Sequence, residues 1–141
     1  MTISLEKARQ MVAETRAKAR TMGLKPLSVV VLDAGGHVLA FEREDGASPG
    51  RFEIARGKAY GAVMLGMPGS AQMARAEAQA YFMAAVNGAY GGKVIPVPGG
   101  VLVKDAAGEV VGAVGVTGDS SENDAEAALA GIAAAGFEGA A

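Results

Sequence analysis

VLDAGGHVLA, residues 31–40, aligns without gaps onto VKDAAGEVVG, residues 103–112. In each copy an aspartate able to bond the backbone opens a turn, and a glycine able to take positive φ closes it. Apolar residues flank both turns, so the repeat reads as two β-hairpins of one design. Working outward, LSVVVL (Leu27–Leu32) is apolar on both alternating faces and HVLAFE (His37–Glu42) returns beside it. After the second turn, GEVVGAVGVTG places Val111, Ala113, Gly115 and Thr117 on one face of a strand, and Gly112, Val114, Val116 and Gly118 on the other. Thr117 ends a strip of small residues, against which something packs closely.

Helical spacing surrounds these hairpins. Leu5, Ala8, Met11, Val12, Thr15, Ala19 and Met22 form one stripe ended by Gly23 and Pro26, which predicts a first helix over Leu5–Met22. Ser48-Pro49 reads as an N-cap and first helical position for a helix from Pro49 to Leu65, stopped by Gly66 and Pro68. Ser70 caps a further helix predicted over Ala71–Val86, and Asn87-Gly88 closes it. The stretch AYGGKVIPVPGG carries too much Gly and Pro for a central strand, so only Lys93–Val97 is expected to be extended, at a sheet edge. The junction GDSSENDAEAA reads as the start of a last helix, capped by Ser120 or Ser121, with Asp124 three after Ser121 as in a capping box. The fold class is therefore α+β: an antiparallel sheet of four to five strands flanked by helices, in the order β-β-α-α-β-β-α after an initial helix.

Composition narrows the functions. The 141 residues suit one domain, 1–141, with half of them apolar. A formal charge of −2 and scattered basic residues disfavour nucleic acid. With no cysteine and a single histidine, neither a disulfide framework nor a thiolate or His-rich metal site is expected. The first twenty residues contain no long apolar run, so neither a secretory signal nor a membrane span is read, and a cytoplasmic address follows. Twenty-one glycines and no tryptophan mean little apolar area per residue, which assembly into a homo-oligomer would offset.

Few residues can carry chemistry. His37 is the one side chain that ordinarily titrates near neutrality, a candidate general base or axial haem ligand; as the first residue after a turn it reads equally as an exposed polar residue. Lys58 lies at the border of an apolar helical stripe, where partial desolvation would suit proton transfer or carboxylate binding, or where its stem merely covers the core edge. Arg51, in a helix's first turn, is poorly placed for the helix dipole and can meet an anionic ligand instead. Gly99 and Gly100 offer bare amides, and Thr117 a hydroxyl, to a flat or anionic ligand; a plain turn is the competing reading. The spacing Gly112, Gly115, Gly118 is not a dinucleotide-binding fingerprint.

Together, SVVVLDAGGHVLAFEREDGASPG, EIARGKAYGAV and VPGGVLVKDAAGEVVGAVGVTG resemble the GlcG/HbpS family, also called the haem-degrading domain family, which includes the carboxy-terminal domain of PduO-type cobalamin adenosyltransferases. The likeness runs from about Leu5 to Ala133. It implies an α/β sandwich that assembles into dimers or larger homo-oligomers, and an association with haem or with operons for small organic acids. The positions matching the motifs are Asp33, Gly35, Gly36, His37, Asp45, Gly46, Lys58, Gly99, Gly100, Gly115, Thr117, Gly118 and Asp124. Two functions follow as expectations. One is a small-molecule-binding oligomer for haem or a small organic acid, with His37, Arg51, Gly99, Gly100 and Thr117 in contact. The other is an enzyme acting on a small organic acid, an isomerase, tautomerase or hydrolase, using Lys58, His37 and Thr117.

Overall fold

The computed structural model describes residues 2–141. Helix α1 (Leu5–Met22) starts at Ser4, whose hydroxyl accepts the N–H of Lys7 at 3.1 Å, and ends at Gly23 in the left-handed region. Strands β1 (Ser28–Asp33) and β2 (Val38–Arg43) form the first hairpin, and β3 (Gly100–Lys104) and β4 (Val110–Thr117) the second. The two turns are built alike. Asp33 Oδ1 accepts the N–H groups of Gly35 and His37 at 2.9 and 3.0 Å, while Asp105 Oδ1 accepts those of Ala107 and Glu109, both at 3.0 Å. Gly36 and Gly108 close them at φ 83° and 81°. Both hairpins even shift register at the matching place, after Val31 and after Val103.

Strands β1 and β4 pair antiparallel and join the hairpins, and β5 (Glu138–Ala140) adds to β3, giving the order β2-β1-β4-β3-β5. Alternation then sorts the strand residues between two cores. Val29, Val31, Val103, Val114 and Val116 face α1 and α5 (Ser121–Ala134), whereas Val30, Leu32, Leu102 and Ala113 face Ala55, Ala59 and Ala62 of α2 (Arg51–Leu65). The small strip expected along β4 is what admits α2: a Cβ at Gly115 would run into the carbonyl of Ala55. No described helix is long and apolar enough to cross a membrane.

Four local expectations are corrected. The helix predicted over Ala71–Val86 is two helices, α3 (Gly69–Ala78) and α4 (Ala80–Ala89), bent at Gln79 (φ −142°, ψ 67°). No residue there breaks a helix; the bend lets Met83 and Val86 pack on Val94, with Tyr60 and Leu65 beside them. Lys93–Val97 is not an edge strand but an irregular segment crossing α2, where the N–H of Ile95 bonds the Gly57 carbonyl at 3.2 Å and Gly57 leaves room for the Ile95 side chain. The fifth strand is instead β5. Gly50 rather than Ser48 stands at the N-cap of α2, and Ser48 Oγ accepts from the Arg51 side chain at 3.1 Å. Ser120 caps α5 through the N–H of Asn123, and Asp124 does not close a box with Ser121.

Candidate functional site

Helix α2 carries three cations in its first half: Arg51, Arg56, which lies over the Phe52 ring, and Lys58. Arg51 opens it, with Nη1 donating to Thr117 Oγ1 at 2.9 Å. Two turns on, Lys58 is buried at 3% exposure, below the border position its sequence context gives it. Its Nζ donates to the Val116 carbonyl at 3.0 Å and to Asp124 Oδ2 at 3.2 Å. Asp124 is 1% exposed, and its Oδ1 accepts the N–H of Asp119 at 3.0 Å. The pair therefore ties α2, β4 and the start of α5 together.

Burial acts on both members of the pair against their mutual attraction. Desolvation lowers the Lys58 pKa, with the Asp124 charge opposing and Arg51 adding to the shift. Desolvation likewise raises that of Asp124. Each group depends on the other to stay ionised. Beside them, Asp119 accepts from Asn123 Nδ2 at 2.9 Å and from the N–H groups of Lys25 and Ser120 at 3.0 and 2.8 Å. These bonds, the Asn123 one foremost, hold its pKa down to about 2.

Gly99, at φ 109°, and Gly100 lie directly on Lys58: a Cβ at Gly99 would stand 2.9 Å from Nζ, and one at Gly100 would strike the Lys58 carbonyl. Both glycines also wall a cavity of about 240 Å³, together with Ser70, Pro98, Glu122 and Ala125. A larger hollow of about 480 Å³ between α1 and β2, lined by Leu5, Glu6, Arg9 and Glu42, holds none of the candidate groups. No cluster of His, Cys, Asp or Glu that could hold a metal occurs among the described residues.

Five of the six candidates thus gather at one end of the sheet: Arg51, Lys58, Gly99, Gly100 and Thr117. His37 does not join them. Ser28 pairs with Thr117 at one end of β1, while Asp33, at the other end, bonds its N–H to the His37 carbonyl at 2.9 Å. Five residue steps at about 3.4 Å each separate the two ends by roughly 17 Å. His37 is exposed there, and the neighbouring Gly36 packs on Tyr60 and Met64 from the far half of α2.

Two further residues belong to the Arg51 end. Asp124, expected as a capping residue, is the partner of Lys58. Ser28 is fully buried with its hydroxyl unpartnered, directly across from Thr117. The sole sign of it in the sequence is a polar residue at the head of an otherwise apolar strand.

The same arrangement of helices and sheet recurs in solved structures. The chain aligns over 100% of its length, and 100% of the other chain, with PduOC solved as its haem complex, at 23% identity and a TM-score of 0.87. It is 30% identical to HbpS over 94% of this chain and 89% of that one, with a TM-score of 0.79. Against the ORFY protein of Klebsiella pneumoniae the figures are 26% identity, coverage of 96% and 91%, and a TM-score of 0.84. Among curated proteins none matches. The match to the family described as haem-degrading protein HbpS-like spans residues 3–133, so hairpins, helices and candidate site all fall within it, and the chain belongs to that family.

Proposed function

We propose that this protein binds a small acidic organic molecule at the end of the sheet where Arg51, Thr117, Gly99 and Gly100 meet. The observation that carries this reading is the cation arrangement: a buried Lys58 neutralised by Asp124, with Arg51 left over and bonded only to neutral hydroxyls, Ser48 and Thr117. A half-buried arginine without a carboxylate is suited to receive one from a ligand. Lys58 has a holding role in this reading, since two of its three donors are engaged and its nitrogen is sealed behind Gly99. That favours binding over the enzymatic alternative, in which Lys58 would move a proton. Of the proposed site residues, Gly99 and Gly100 also wall the cavity of about 240 Å³, which Arg51 and Thr117 do not line and which is smaller than the ~300–1,000 Å³ usual for sites that hold drug-sized molecules.

Haem is the second reading, favoured by the family and by the exposed His37. A porphyrin exceeds that cavity and would lie on the surface, where His37 would supply an axial nitrogen next to Tyr60 and Met64. Self-association is proposed with it: α4 contains no charged residue and leaves Tyr81 74% exposed.

A calorimetric titration with short hydroxy and keto acids, run beside an absorbance titration with haemin, tests both. Saturable binding of an acid, lost in Arg51→Gln, is the expected result. A haemin Soret band that saturates and is abolished in His37→Ala would establish the second reading. If neither acids nor haemin bind, the assignment as a small-molecule binder is wrong.

A further inference from the structure

At the start of α2, backbone amides and two buried hydroxyls present donors with no acceptor among the described residues, beside the Arg51 guanidinium. Alternation and register put Arg43, Ser28 and Thr117 in one cross-strand row on the face that α2 covers, since Ser28 pairs with Arg43 on one side and with Thr117 on the other. The Ser28 hydroxyl is fully buried and lacks a partner among the described residues. An unmet buried hydroxyl is uncommon, because its desolvation is not repaid. Thr117 Oγ1 accepts from Arg51 and keeps its own proton to donate.

Above this row, the fifteen-residue α2 has no side-chain cap: the Arg51 N–H bonds the Ser48 carbonyl at 3.4 Å, while those of Phe52 and Glu53 have no partner among the described residues, at the positive end of the helix dipole. Arg51 occupies the first helical position, where a cation is disfavoured by that dipole. Neither Arg51 nor Arg43 forms an ion pair among the described residues. One acidic side chain, Glu53, stands in the first turn, and it is exposed.

We propose that these groups form an oxyanion subsite, which takes the carboxylate or phosphate group of a small organic ligand. The amides of Phe52 and Glu53, the Arg51 guanidinium and the hydroxyls of Ser28 and Thr117 are its donors, and Arg43 adds charge at its rim. The subsite rests on the reading that this end of the sheet binds ligand, and it assigns which part of the ligand is held and by what.

The test is calorimetry on the whole chain with three probes at matched ionic strength: acetate, malonate and inorganic phosphate. At least one probe binds saturably, and Arg51→Gln weakens it by roughly ten-fold or more, as for loss of a charged hydrogen bond. Preference for malonate over phosphate identifies a carboxylate, and the reverse a phosphate ester. Ser28→Ala separates a ligand role from a structural one. It weakens the probe while leaving the unliganded protein as stable or more stable, because the deleted hydroxyl has no partner to lose. Should larger organic acids bind while Arg51→Gln and Ser28→Ala leave every affinity unchanged, the subsite is refuted and the binding function stands. Absence of binding by all three probes and by the larger acids overturns both.

Discussion

Lys58 and Asp124 illustrate how one residue's role depends on a distant partner. The ammonium is out of water because Gly99 and Gly100 pass over it, and it stays charged because Asp124 meets it. Lys58→Met leaves the Asp124 carboxylate buried alone and is expected to cost about 3–5 kcal/mol, whereas Lys58→Met with Asp124→Leu recovers much of that loss. Urea unfolding at neutral pH measures both. Asp119 contributes through pH. Its folded pKa of about 2 lies below the ordinary carboxylate value, so its contribution is fully present above about pH 4 and disappears as pH falls toward 2. The difference in Tm between the wild type and Asp119→Ala should narrow across that interval; a constant difference would show that the carboxylate bonds do not form. Local sequence could not reveal the Asp124 role, since a serine and an acid three apart signal a helix start wherever they occur. What decides it is a lysine 66 positions away.

At the scale of elements, close approach is the organising feature, and small residues make it possible. Helix α2 lies on β4 because Gly115 and Ala113 leave room for the backbone at Ala55, and Ala55, Ala59 and Ala62 return the favour. Gly115→Ala is expected to destabilise by about 1–3 kcal/mol through displacement of α2, and to disturb the Arg51 to Thr117 bond that the helix positions. A shifted urea midpoint together with weakened acid binding is the readout; an unchanged midpoint would mean that α2 has slack. The hairpins were legible in the sequence because their turns depend on Asp and Gly at fixed places, as was α1 with its stripe and terminal glycine. The bend at Gln79 was not, since alanine-rich helix continues on both sides and only packing around Val94 asks for a change of direction. Strand β5, three residues long with two of them small, carries no alternation to read.

For the molecule as a whole, strand order decides which candidates can act together. Each hairpin could be read alone, but the pairing of β1 with β4 comes from neither, and it is this pairing that sets Ser28 against Thr117 and sends His37 to the far end. The site was therefore legible as a set of residue types, with Arg51, Lys58, Gly99, Gly100 and Thr117 all named, and illegible as a place. His37 had the strongest chemical claim and sits outside the cluster, so the proposed acid and haem readings fall on two separate surfaces. Binding of a small acid and of haem should then be independent, with malonate leaving a haemin titration unaltered.

The most direct test of the proposed acid-binding end is the ¹H–¹⁵N spectrum of the full chain titrated with malonate. The amides of residues 51–53, 99–100 and 117–119 should shift together along one saturating curve while those of 33–38 stay in place. Shifts confined to 33–38, or no saturating shift at the Arg51 end, would contradict the account.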